Sequence, residues 1–190
     1  MSTRDKLITE AARLLDAGGN AAVTLRAVAQ AVGVSHNAPY RHFKDRAALL
    51  SAIAERDFHS LTDMFRSSQH ADGAPIERLT RALTAFICYG RDNPARYRLL
   101  FGDPDIRSAE GTLENAALET FSAFEDLVKA CQKSSQLPGA SAKELTGLIY
   151  AAVHGLIDLE SSGRMGERKG LSVAEEGVAL LLRLLGAASR

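Results

Sequence analysis

The chain has 190 residues, 46% of them apolar, with 23 Lys+Arg against 23 Asp+Glu, two Cys and no Trp. That length and composition suit one large or two small globular domains and exclude both wholesale disorder and a disulfide-stapled scaffold. No uncharged apolar run reaches the roughly 20 residues that a membrane span needs, and Glu10 and Arg13 interrupt any signal-peptide core in MSTRDKLITEAARLL, so a cytoplasmic protein without a membrane partner is expected.

In chain order the sequence reads as helix after helix, because apolar residues recur at three and four rather than alternating. The first helix is predicted from a Ser2 or Thr3 cap, with Leu7, Ala11, Leu14 and Leu15 on one face, to a stop at Gly18 and Gly19. A second follows Thr24 and ends at Gly33, a very short third follows Ser35, and a fourth runs from behind Asp45 to about Arg66. Pro75 and Pro94 suit first helical positions of the next two. A long amphipathic helix is predicted over about 106–134, with Leu113, Leu118, Phe121, Phe124, Leu127 and Val128 on its stripe. Ser141 with Glu144, and Ser172 with Glu175, carry the spacing of a capping box and predict the starts of the last two helices. Cys88 and Cys131 are expected as buried free thiols. No repeat or metal-ligand spacing occurs among the five His.

The charge is uneven along the chain. Residues 1–50 hold seven Lys/Arg against four acids, a net +3, whereas the remaining 140 hold 16 against 19. A basic module joined to a mildly acidic body follows. Within the basic module, TLRAVAQAVGVSHNAPYRHF at 24–43 has helix-turn-helix spacing, with Gly33 supplying the turn and Ser35 the next cap. His36 and Asn37, at the start of the exposed second helix, are the expected readers of base edges, Asn pairing with adenine and His donating to guanine. Thr24, Arg26, Ser35, Tyr40, His42, Lys44 and Arg46 complete the expected DNA-binding set, chiefly as donors to phosphate oxygens, while Phe43 is expected to pack.

On these residues the stretch from Thr24 to Leu50 resembles the DNA-binding domain of the TetR family of transcriptional regulators. Thr24 opens the second helix, Ala29 to Val34 stand as the Ala-x-x-x-Gly-Val turn, Tyr40 and Phe43 form the Tyr-x-x-Phe pair, and Leu49 follows. Arg46 replaces the family's Lys, and Pro39 occupies the usual aliphatic slot, so either the helix begins near Asn37 or its first turn is distorted. DNPARYRLLF at 92–101 and AAVHGLIDLE at 151–160 resemble the subgroup with a WHG-type C-terminal domain. The resemblance implies an all-α fold of about nine helices: a three-helix DNA-binding domain over 1–46, then a ligand-binding and dimerisation domain over 47–190. It also implies a homodimer joined through 142–161 and 172–188, whose segments are apolar on more than one side, although a monomer could bury them internally.

Most aromatic residues lie beyond residue 50, which points to a small hydrophobic ligand lined by Phe58, Phe65, Phe86, Tyr89, Phe101, Phe121, Phe124, Tyr150 and His154, or to an ordinary core. His154 and Asp158, one turn apart, are a possible ionisable pair. No catalytic or cofactor motif occurs, so no enzyme activity and no cofactor are expected. The expected function is a ligand-responsive repressor that binds a palindromic operator in double-stranded DNA. The alternative is a helical ligand-binding or interaction module without operator binding.

Overall fold

The computed structural model describes residues 1–103, 106 and 111–188. Among these residues the chain forms eight α-helices and two 3-10 turns, with no strand beyond a single antiparallel bridge between Gly166 and Leu171. They fall into two compact units, one of Met1–Ser60 with Asn93–Leu118 and the other of Leu61–Asp92 with Glu119–Arg190.

The first unit starts with α1 (Thr3–Ala22), capped by a full capping box: the Ser2 hydroxyl accepts from the Asp5 N–H at 3.1 Å, and the Asp5 carboxylate accepts from the Ser2 N–H at 2.9 Å. Leu7, Ile8, Ala11 and Leu15 face inward. The expected stop at Gly18 and Gly19 is a kink instead. Gly19 takes φ 68°, which costs glycine little, and a further turn continues to Ala22. Next come α2 (Leu25–Val32) and, after an irregular segment, α3 (Arg46–Gln69), which runs one turn beyond the expected end. Leu49, Leu50 and Ile53 of α3 are fully buried, each worth roughly 2 kcal/mol of apolar transfer. The expected helix start at Pro94 is observed as α5 (Pro94–Gly102). Arg96 of α5 pairs with Asp16 of α1 at 2.5 Å and approaches the buried Asp57 of α3 at 3.8 Å, and the Asn20 side-chain amide donates to Asp103.

The second unit contains α4 (Pro75–Asp92), most of α6 (Thr112–Lys133), α7 (Ala142–Ser161) and α8 (Ala174–Ala187). Most of the expected lead-in of α6 from residue 106 lies outside the described residues; Ile106 is helical and buried, but Gly111 is an exposed bend at φ 90°, so α6 begins at Thr112 rather than running unbroken from about 106. Leu118, expected on the apolar stripe, is 61% exposed. It stands two positions beyond buried Ala116, about 200° around the helix, and the inward stripe runs through Leu113, Ala116, Thr120, Phe124, Leu127 and Cys131. Ser141 caps α7, its hydroxyl accepting from the Glu144 N–H at 3.4 Å, but only this half of the expected capping box forms. The second expected capping box does not form. Helix α8 begins at Ala174, after Val173, because Glu175 is drawn to Arg91 at 2.8 Å and Glu160 accepts the Ala174 N–H at 3.0 Å. Cys131 is buried, which pushes its thiol up to about 11, whereas Cys88, expected to be buried, is only half-buried.

Candidate nucleic-acid interface

The turn and the short element after α2 are positioned from both sides by local chemistry. At the start of α2 the Thr24 hydroxyl oxygen accepts from the Ala27 N–H at 3.1 Å, which leaves its own hydrogen to donate outward from an exposed position. Arg26 is exposed in the first turn. At the other end Gly33 adopts φ 76°, ψ 32°, and the Val34 N–H closes onto the Ala29 carbonyl at 3.0 Å, a Schellman ending.

The short helix expected after Ser35 is not an α-helix. Residues 36–38 form turns, with the Ala38 N–H bonded to the Ser35 carbonyl at 2.9 Å, and Pro39–Arg41 is a single 3-10 turn. Pro39 explains the change: it has no N–H to return to an i−4 carbonyl, and its ring suits only a first helical position. The Pro39 carbonyl accepts from both His42 and Phe43 N–H groups at 2.9 Å, which tightens the turn. Pro39 and Phe43 are buried, and the Arg4 guanidinium covers the Phe43 ring at 5.5 Å. With these two side chains anchored, Ser35, His36, Asn37, Tyr40, Arg41, His42 and Lys44 are all exposed, Tyr40 by 60%.

Eight of the nine residues of the DNA-binding set thus lie exposed along α2's start and the following segment, and Arg46 differs. Its guanidinium donates to the Val23 carbonyl at 2.8 Å and the Asn20 carbonyl at 2.5 Å, a cation against the C-terminal carbonyls of α1. Asp45 caps α3 beside it, accepting from the Ala48 N–H at 2.8 Å. Arg46 therefore orients the loop before α2 from within. Arg41, absent from the expected set, is an exposed cation on the same turn as Tyr40. Its signal in the sequence was its place between Tyr40 and His42, both flanked by the buried pair.

The aromatic set divides between the units. Phe58 and Phe101 meet edge to face at 5.7 Å in the first, with Tyr97 5.0 Å from Phe101. In the second, Phe65 stacks on Phe124 at 5.4 Å and lies 6.1 Å from Phe86, which contacts Tyr89 and, edge-on, His154 at 5.3 Å. His154 lies 4.1 Å from Tyr150, and Tyr150 is 5.9 Å from Phe121. Burial among these rings lowers the His154 imidazole to about 4, while Asp158 one turn on is exposed. Among the described residues no group of His, Cys, Asp and Glu could hold a metal ion, and no helix is long and apolar enough to cross a membrane.

Comparison with known proteins fits this geometry. Residues 7–53 match the family model described as bacterial regulatory proteins, tetR family, and residues 79–185 match the tetracyclin repressor-like C-terminal domain. The chain belongs to the TetR family. TetR-family proteins are DNA-binding transcriptional regulators, and the exposed edge after α2 lies within the stretch that the first of these family models matches. The chain is 24% identical over 159 residues to the nucleoid occlusion factor SlmA of Marinomonas sp. (strain MWYL1), covering 81% of this chain and 80% of that one. A structure of a protein of unknown function from Rhodococcus sp. RHA1 matches with a TM-score of 0.84 at 24% identity, covering 99% of this chain and 95% of that one. SmeT, the repressor of the Stenotrophomonas maltophilia multidrug efflux pump SmeDEF, matches with a TM-score of 0.67 at 22% identity, covering 99% and 90%. At these identities the structural likenesses establish the TetR fold alone.

Proposed function

We propose that this TetR-family regulator is a ligand-responsive repressor that grips a palindromic operator as a homodimer. The observation that carries the reading is the anchored turn: buried Pro39 and Phe43 force Ser35, His36, Asn37, Tyr40, Arg41 and His42 into solvent on one short edge. His36 and Asn37 read bases there. Thr24, Arg26, Tyr40, Arg41, His42 and Lys44 contact phosphates, and Arg46 acts by holding the end of α1. Residues 1–46 serve as the reading module and 47–190 as the regulatory part.

Dimerisation is supported by an apolar stripe on the last two helices. Leu148 and Leu159 of α7 and Leu180 and Leu184 of α8 are exposed, Leu148 by 57% and Leu184 by 60%. Leaving such a stripe in water is unfavourable, and a second copy offers the same surface in return. A dimer presents two reading edges about 34–36 Å apart, one turn of the duplex. The aromatic set of the second unit is the proposed place for a hydrophobic ligand, which weakens DNA binding if it prefers the form whose edges are mis-spaced.

The test is selection of duplexes from a randomised pool by the full chain. Inverted repeats with half-sites about one helical turn apart are the expected product, and Asn37→Ala should alter the selected bases at one position of each half-site. A pool with no enriched inverted repeat would favour the alternative, a helical ligand-binding module without operator binding.

A further inference from the structure

We infer that a second ligand site, for an amphipathic carboxylate, lies in the groove between the start of α4, the turn that follows α6 and the end of α8. The groove has a volume of about 610 Å3, and its walls come from all three segments of the second unit. Pockets for small organic ligands commonly measure about 300–1,000 Å3. It shares no residue with the aromatic set around Phe86 and His154.

The lining has two parts. Ile76 and Leu182, with alanines of α8, supply apolar wall. Arg183, Gln136 and Ser135 offer donors to a guest, whereas Thr80 is left with acceptor capacity alone. Arg183 forms no ion pair among the described residues. Gln136 spends its Oε1 on the Ile76 N–H at 3.0 Å, which leaves its amide N–H groups available. Ser135 keeps its hydroxyl. Thr80 directs its hydrogen to the Ile76 carbonyl at 2.8 Å. No Asp or Glu lines the groove among the described residues, and none of them pairs with the exposed Arg183.

The backbone keeps this shape at a cost. Ser135 adopts φ 53°, the left-handed region that a non-glycine residue enters only when its surroundings demand it. Gly186 lets α8 approach the same turn: a Cβ there would come within 3.3 Å of the Gln136 carbonyl oxygen. A guest that matches the lining carries a planar anion for the Arg183 fork and the Ser135 and Gln136 donors, joined to several methylenes lying along Ile76 and Leu182. A bare inorganic anion leaves the apolar wall unused, and an organic cation meets Arg183 with like charge.

Titration calorimetry of the full chain with octanoate tests the site, with octanol, acetate and octylammonium as probes of tail and charge. Octanoate should bind at least tenfold more tightly than the other three. Arg183→Gln should weaken octanoate at least tenfold while circular dichroism stays unchanged, and Arg183→Glu should reverse the preference in favour of octylammonium. Ala179→Trp, which fills the groove from α8, should abolish binding without altering the charge. Octanoate binding unchanged in Arg183→Gln and Ala179→Trp, equal affinity for octanol, or no octanoate binding at millimolar concentration would overturn the inference.

Discussion

At the residue scale, two backbone conformations and one buried base make independent predictions. Gly33 ends α2 at φ 76°, so Gly33→Ala should lower stability by about 1 kcal/mol through left-handed strain. Ser135 shows the opposite situation at φ 53°. Ser135→Gly should raise stability by about 0.5–1 kcal/mol, read from urea midpoints at unchanged slope. His154 is held near 4 by burial, below its unfolded value of about 6.5. The unfolded chain therefore binds the proton first, and the neutral imidazole's contribution, full above pH 6.5, is lost as the pH falls toward 4. Between pH 7 and pH 4.5 the protein should lose about 2 kcal/mol more than His154→Phe does. Parallel pH profiles for the two would show that His154 is not protected by the rings around it.

At the element scale, Arg91 at the end of α4 joins α7 and α8, bound to Glu160 at 3.0 Å and Glu175 at 2.8 Å. The bonds to Glu175 and Glu160 raise the guanidinium's proton affinity, and Arg91 lowers the Glu175 carboxyl in turn. All three side chains are partly exposed, so Arg91→Ala should cost only about 1 kcal/mol, and less in high salt. This cluster also explains what was hidden in the sequence. The cap at Thr24, the Gly33 ending and the proline starts of α4 and α5 are local, set by a residue and neighbours three or four positions away, and they were legible. The box predicted at Ser172 was not, because Glu175 answers a cation 84 positions earlier. Arg46, expected as a phosphate donor, also has partners remote in sequence: its guanidinium donates to the carbonyls of Val23 and Asn20, 23 and 26 positions earlier. Pro39 advertised a disturbance, but whether the segment would begin an α-helix late or remain a 3-10 turn depended on the burial of Pro39 and Phe43. Leu118 satisfied a loose apolar count yet fell on the wrong side of α6.

At the scale of the whole molecule, the proposed regulator combines a reading edge with an apolar stripe on the last helices. Leu184→Glu, at a residue 60% exposed, should leave the helical content intact, convert the dimer to monomer in sedimentation and weaken operator binding more than tenfold. A dimer that survives both this change and Leu148→Glu would place the interface elsewhere. The central claim, that the edge from Ser35 to Lys44 lies against DNA, is tested most directly by the salt dependence of affinity. Duplexes from around the protein's own gene would be titrated with the wild type, Arg41→Ala and Lys44→Ala. If each cation neutralises one phosphate, each substitution should reduce the slope of log K against log salt by about 0.9. Slopes identical to the wild type in both variants would contradict the account.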